Sequence, residues 1–582
     1  MIRRPWTSEV SRRALLAGSL GAAILFAGPI RTLARAAPDP VFRHGVASGD
    51  PDTSSVVLWT RLSPSEDAGA QPTEAVWELS ESPDFHAVMR QGIARTSAAR
   101  DFTVKVLADG LAPGAMVYYR FRVGDAISAV GRARTLPTGQ VQRLGIALAS
   151  CSNYAFGYFN AYDAIARDPA IDFVLHTGDY IYEYGGKDSW GQSIAEELGR
   201  VHAPAHEIVS LADYRERHAQ YKTDAGARAM HANHTLLACW DDHESANNPW
   251  LGGAQNHQPD SEGPWRARRG ASIQAYFEWM PVREPEWLAH KGRSRMQFWR
   301  EYSFGDLAML HTLETRHTAR AEQIDYMPYA TRITDAASAE AFKNDVIGAS
   351  DRPMLSPELE TDLATALKAS VEAGQPWRII ASPMVIARLL VPDLVALGVL
   401  PDPRPVLASA KSPQELAALA SKAEVSLAWR GMYNLPDYTD AWTGYPWARE
   451  RLYDLAAKAG ARDLVFLVGD SHSFWANSLV NDAREPVGIE FGTAGISSPG
   501  DFLESGFSPD KARELDAVYA EHIPEVRWTD NMHQGYVRVE FGRQEGVATF
   551  VSVDTVLQPE YRASLLRRFT FAPDNGSLSL RG

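Results

Sequence analysis

From Val41 to about Pro137 the chain alternates apolar and polar residues in short runs: "SSVVLWTRL", "AVWELS", "FTVKVLADGL" and "MVYYRFRVGD", separated by the turn signals "DG", "PG" and "GD". A period of two is what a strand with one face on a core requires, and turn residues at this spacing break the chain into strands. No helical period competes. The pattern predicts a small all-β sandwich of the fibronectin or immunoglobulin type over residues 41–137, with "RTLPTGQVQR" as the linker that follows.

Beyond the linker the texture changes. "RLGIALASC" is apolar at nearly every position, "YFNAYDAIARD" has helical spacing, and "IDFVLHTGD" is a second apolar run. Such a unit predicts parallel strands covered on both faces and joined by a helix. "HTLLACWDD", "PWRIIASPM" and "RDLVFLVGD" read as further strands of this kind, and "ARERLYDLAAKAGA" as a helix before the last of them. Residues 385–428, with "SPQELAALASKAE", read as a helical insertion. Two domains are therefore expected in the 582 residues, the sandwich at 41–137 and an α/β domain at 143–570.

The first residues belong to neither. Arg12 and Arg13 precede an uncharged stretch of 17 residues, Ala14 to Ile30, and Ala34 and Ala36 offer an A-x-A cleavage site. This is the layout of an export signal, and the stretch falls short of the ~20 apolar residues a membrane-spanning helix needs. No stable membrane span is expected in the mature form. The whole chain carries 58 Lys+Arg and 72 Asp+Glu; residues 1–36 hold six Arg and one Glu, which leaves 52 against 71, a net charge of −19. That balance excludes nucleic acid as an expected ligand. An anionic substrate would need local cations to reverse the field. Of the two cysteines, Cys239 lies inside the apolar "TLLACW" and reads as core, which leaves a disulfide as the plain alternative.

The candidate chemistry sits where the apolar strands stop. Ligands in α/β sheets gather beyond the carboxyl ends of the strands, and four runs end in metal-binding groups: Cys151, Asp179, the pair Asp241 and Asp242, and Asp470 followed by His472. One Asp after a strand is more often a turn former. Four such endings strain that explanation. Thiolate and phenolate from Cys151 and Tyr182, with a carboxylate and an imidazole, suit Fe(III), whereas Asp179, Asp242 and Asp470 form an all-oxygen set that suits Ca²⁺, Mg²⁺ or Mn²⁺. Asp179 has two oxygens and can serve both. His243, next to Asp242, is placed to act as general acid, with a role in orienting ligands as the plain alternative. Glu244 and Asn248 are spare oxygen donors, and His176 points off the strand end.

Taken together, "ASC", "LHTGDYIYEYG", "WDDHESANN" and "GDSHSFWAN" resemble the alkaline phosphatase D (PhoD-like) family of metallophosphoesterases, and "FRHGVASGDPDTSSVVLWTRL" resembles that family's N-terminal β-sandwich. The resemblance implies a four-layer αββα core holding iron and calcium, with Cys151, Asp179, Tyr182 and His472 on iron and Asp179, Asp242 and Asp470 on calcium. It departs from the family at Glu314-Thr315-Arg316, where Asp-Thr-Arg is usual; Arg316 is kept as a candidate phosphate clamp. "SRRALL" resembles the Tat signal, which implies the Tat export machinery as a partner and a periplasmic or secreted destination. The expected activity is hydrolysis of phosphate mono- or diesters by metal-activated water. Two rivals remain: a GDSL-type serine esterase using Ser471 of "GDSH", and an exported binding protein whose metals are structural.

Overall fold

The computed structural model describes residues 23–24, 39–63, 73–186, 189–288, 293–574 and 576–582. The expected signal at 1–36 lies outside the described residues, apart from Ala23–Ile24. The catalytic part is a four-layer αββα stack. Strands Arg143–Ala149, Phe173–His176 and Thr235–Ala238 run parallel in one large sheet, and Ala308–Thr312, Trp377–Ser382, Leu464–Val468 and Pro486–Gly492 run parallel in a second. Alternation along each strand assigns its two faces. Ile146, Leu148 and Leu175 meet Leu310, Ile379 and Leu467 in the layer between the sheets. Ala147, Ala149 and Val174 face outward under the helices Asn160–Arg167 and Trp265–Trp279. Both faces are dry, which is why these runs read as continuous apolar stretches rather than alternating ones.

Helices cover the outer face of the second sheet, and three of them start on the same signal. Ser356, Ser412 and Ser508 each accept the backbone N–H three residues on, and Pro357, Pro413 and Pro509 follow at the first helical position. The insertion expected as helical over 385–428 becomes helical only at Arg404–Ala408, then at Pro413–Ala420 and Ala423–Met432. Pro392, Pro401 and Pro403 account for the difference, since each removes an N–H and pushes the residue before it out of the helical region. Strands Gln534–Gly542, Gly546–Val553 and Ala563–Asp574 extend the first sheet on its other side in antiparallel order.

The N-terminal all-β region joins the stack through the backbone. Val46–Gly49 pairs in parallel with Thr235–Ala238, so Val46–Gly49, Val56–Arg61 and Thr103–Ala108 prolong the first large sheet. A separate sheet built on Glu74–Ser80 and Met116–Val123 closes over them, burying Leu58, Leu79, Tyr119 and Phe121. Side chains lock the joint. Asp50 accepts from Arg283 N (2.8 Å) and Arg300 Nε (2.9 Å). The fully buried Lys222 Nζ lies 4.9 Å from the centre of the Trp59 ring and donates to Tyr180 Oη at 3.1 Å. Both cysteines are free and buried, as expected of Cys239, and no disulfide forms.

Near this joint the imidazole of His218 is stacked between Trp279 and Tyr180, and neither ring nitrogen has a hydrogen-bond partner among the described residues. Burial, and then the charge of Lys222, push its pKa well below the ordinary value. His218 thus stays neutral in the fold, while the unfolded chain protonates it near about 6.5. Its contribution is intact above that pH and lost as pH falls. His218→Phe should therefore gain on the wild type by about 2 kcal/mol between pH 8 and pH 5, read from urea unfolding at both. An unchanged gap would contradict a neutral, unpartnered ring.

Candidate metal centre at the strand tips

The chain bends sharply as it leaves the strands. Cys151, Asp179, Asp470 and His472 have φ of 60°, 56°, 66° and 54°, a left-handed conformation that costs an ordinary residue about 1–2 kcal/mol. Four such residues in one place mark a backbone held against its preference, which is typical of functional sites. The glycine before each aspartate has its own cause. A Cβ on Gly178 would lie 2.3 Å from Asp241 Cβ, and one on Gly469 would lie 2.3 Å from Ser150 Oγ. Tips from different strands approach too closely for any side chain, so each "GD" joins a close contact to a carboxylate.

The tips converge on Asp179. Ligand atoms of Cys151, Asp179 and His472 lie within 4.8 Å of one another, and so do those of Asp179, Asp241, Asp242 and Asp470 and those of Asp179, Asp242 and His243. The Cys151 thiol donates to Asp179 Oδ2 at 3.3 Å. Tyr182 Oη is 3.1 Å from His472 Nε2, while the other nitrogen of that ring, Nδ1, is 3.0 Å from Glu504 Oε2. The indole of Trp190 stacks on His472 at 5.6 Å between ring centres. All six residues expected to hold metal, together with His243 and Arg316, meet in one buried place.

Electrostatics there are severe. Burial, reinforced by Asp242, raises the pKa of Asp179 well above the carboxylate range, and burial with Asp241 does the same to Asp470. Burial and the charge of Asp179 hold the proton on Cys151; burial, Cys151 and Asp179 hold it on Tyr182. Thiol, phenol and carboxyls cannot all ionise in a dry space without a counter-charge. Donors of this type and density fit a metal centre, soft and phenolic donors on one side of Asp179 and carboxylates on the other.

His243 has a partner that the sequence did not reveal. Its Nδ1 is 2.7 Å from Glu183 Oε2, and Glu183 is itself held by Asn247 N (2.8 Å) and Asn256 Nδ2 (2.6 Å). The ring stacks on Tyr182 at 4.2 Å. Burial opposes its charge, but Asp242 and Glu183 outweigh burial and raise its pKa well above the ordinary value. The imidazole is thus held protonated beside the cluster, with Nε2 3.8 Å from Asp242 Oδ2. Glu183 stands in the quoted tyrosine stretch, yet nothing local ties it to a histidine 60 residues on.

The neighbours of the cluster each have defined partners. Arg316 is fully buried, with Nε on Asp241 Oδ1 (2.5 Å) and Nη2 on Asp470 Oδ1 (2.9 Å), which leaves Nη1 as its unpartnered nitrogen among the described residues. It is a fixed cation among the carboxylates. Glu314 organises the turn that follows it, accepting from Arg316 N, His317 N and Thr318 N. Glu244, read as a spare ligand, spends both oxygens on backbone N–H groups. His176 is 2.6 Å from Tyr162 Oη and accepts from Gly178 N, off the strand end as expected. Ser471 Oγ accepts from Trp475 Nε1 at 2.8 Å.

Comparison with known proteins extends over most of the chain. The family pattern for PhoD-like phosphatase matches residues 146–550, and that for the PhoD-like phosphatase N-terminal domain matches residues 28–137. Alkaline phosphatase D of Bacillus subtilis (strain 168) is 31% identical over 550 residues, covering 92% of this chain and 82% of that protein. A solved structure of PhoD superposes with a TM-score of 0.72 at 28% identity, covering 93% of this chain and 92% of its own.

The close approach at Gly178 gives a direct test. Gly178→Ala must place a methyl against Asp241 at φ +103°, combining left-handed strain with overpacking. The expected loss is about 2–4 kcal/mol of stability, together with most phosphoesterase activity, measured by thermal unfolding and ester hydrolysis. Wild-type values for both would show that the tips are not packed this tightly.

Proposed function

The chain belongs to the PhoD-like phosphatase family and is a phosphoesterase, and from that premise we propose that it hydrolyses phosphate mono- or diesters at a mixed-metal centre organised around Asp179. In this reading Cys151, Asp179, Tyr182 and His472 hold Fe(III), and Asp179, Asp242 and Asp470 hold Ca²⁺. The observation that carries it is the position of Asp179, whose carboxylate is within 4.8 Å of both donor groups. Cations bound there would polarise the phosphoryl group and lower the pKa of attacking water. Displacement at phosphorus is direct, with no covalent phosphoenzyme.

The remaining work falls to the chain's own groups. His243 donates its proton to the departing alcohol oxygen, and Glu183 keeps the imidazole charged and its ring oriented at 2.7 Å. The stack on Tyr182 limits the ring's rotation. Arg316 keeps Asp241 and Asp470 in place through Nε and Nη2 and offers Nη1 to a phosphoryl oxygen. Burial of these groups excludes bulk water and strengthens each interaction. The arginine-bearing "SRRALL" segment supports Tat export to a periplasmic or secreted location, and among the described residues no helix is long and apolar enough to cross a membrane.

The serine-esterase alternative lacks its second member. The hydroxyl oxygen of Ser471 accepts from Trp475, and no histidine bonds to Ser471 among the described residues. A purely structural role for the metals leaves the charged pair of His243 and Glu183 without a purpose.

Two sets of measurements test the proposal. Asp179→Ala should abolish both bound metal and hydrolysis, whereas Ser471→Ala should retain most of each; metal analysis of protein from an exporting host, with chromogenic ester assays, decides. Full activity in the Asp179 variant sinks the scheme. His243→Asn should lower kcat by about 10²–10⁴-fold for an alkyl phosphate and by clearly less for a nitrophenyl ester, whose leaving group needs no proton. Equal losses on both esters would remove His243 from the role of acid.

A further inference from the structure

We propose that Glu244 is a positioning residue, a carboxylate clamp that joins two neighbouring strand tips into one unit before any metal binds. Glu244 Oε1 accepts from Tyr180 N at 2.7 Å, and Oε2 accepts from Asp179 N at 3.1 Å and from Asp241 N at 2.8 Å. The side chain is buried, with 3% of the residue exposed. Two of these donors follow strand Phe173–His176 and the third follows its parallel neighbour Thr235–Ala238. One carboxylate therefore crosses from tip to tip.

The need for it follows from where the sheet stops. The ladder between these strands ends at His176 opposite Ala238, with one further bond from Cys239 N to His176 O at 3.0 Å. Past that point the backbone turns, Asp179 at φ 56°, and the N–H groups of Asp179, Tyr180 and Asp241 no longer face a neighbouring strand. Buried N–H groups without acceptors are costly. Glu244 supplies acceptors for all three.

The clamp also sets the spacing of the donors. Ligand atoms of Asp179, Asp241 and Asp242, carried by the two tips, lie within 4.8 Å of one another, so any change in tip separation changes that set. Glu244 lies on the backbone side, where its two oxygens meet three N–H donors. It thereby fixes the separation of the tips without occupying the space between the side chains. Only a side chain with two acceptor oxygens at this reach can do so. Glutamine replaces one acceptor with an NH₂ that faces an N–H, and aspartate is one methylene too short.

The consequence for metal rests on the proposed function, but the clamp itself does not. The experiment uses the full-length protein, both as isolated and after chelation, and follows exchange of the Asp179, Tyr180 and Asp241 amides by fragmentation mass spectrometry. In chelated wild type these amides should remain protected to the level of amides within the strands; rapid exchange overturns the clamp, whatever the enzyme hydrolyses. Glu244→Gln and Glu244→Asp should each accelerate their exchange by about tenfold or more. They should also weaken metal affinity and lower kcat by about 10–100-fold, with KM little changed. Loss of protection with wild-type metal affinity and kcat would refute the positioning role while leaving the proposed function intact. If the variants fail to fold, the chelated wild-type measurement still decides.

Discussion

Everything at the tips of this sheet pair answers to one constraint, the crowding of anionic donors around the buried carboxylate of Asp179. Asp241, Asp242 and Asp470 on one side, and Cys151 with Tyr182 on the other, cannot carry their charges together in a space that excludes water. The positive charge that the chain itself supplies is Arg316, fixed on Asp241 and Asp470, and the imidazolium of His243. Those two cations face four carboxyl groups, a thiol and a phenol, and the chain's overall formal charge of −14 gives them no help.

Holding such a cluster together requires a frame that does not relax. Four strained left-handed residues at three tips, and glycines in contact with neighbouring tips, leave the backbone little freedom. The two sheets meet through a dry layer that includes Leu148, Leu175, Ala381 and Leu467, each within a residue or two of a tip, so packing fixes tip positions to within a side-chain contact. The N-terminal β-region belongs to the same frame. Its strand Val46–Gly49 continues the central sheet, and Lys222, lying against its Trp59, also bonds Tyr180 beside Asp179. Displacement of that region would be felt one residue from the centre of the cluster.

The pairing of His243 with Glu183 has the same logic. A buried imidazole keeps one orientation beside the cluster only if the carboxylate at its other nitrogen is itself fixed. The stack on Tyr182 and the bonds from Asn247 and Asn256 to Glu183 hold it there.

What the sequence alone determined was everything encoded at short range. Continuous apolar runs marked strands covered on both faces, alternating runs marked the β-region, and four of the apolar runs ended on donors whose chemistry could be named, among them Cys151, Asp179, Asp242, Asp470 and His472. Strand order and sheet packing are set by contacts between residues far apart, which no local period records. Hence only the tertiary structure decided that Asp179 lies within reach of both donor groups, that Glu183 serves His243, and that Arg316 is enclosed by Asp241 and Asp470. It alone turned Glu244 from a spare ligand into a partner of three backbone amides. The same long-range pairing merged the predicted sandwich with the central sheet. Hydrophobic periodicity tells a strand which faces to bury, and hydrogen bonding between distant strands tells it beside whom.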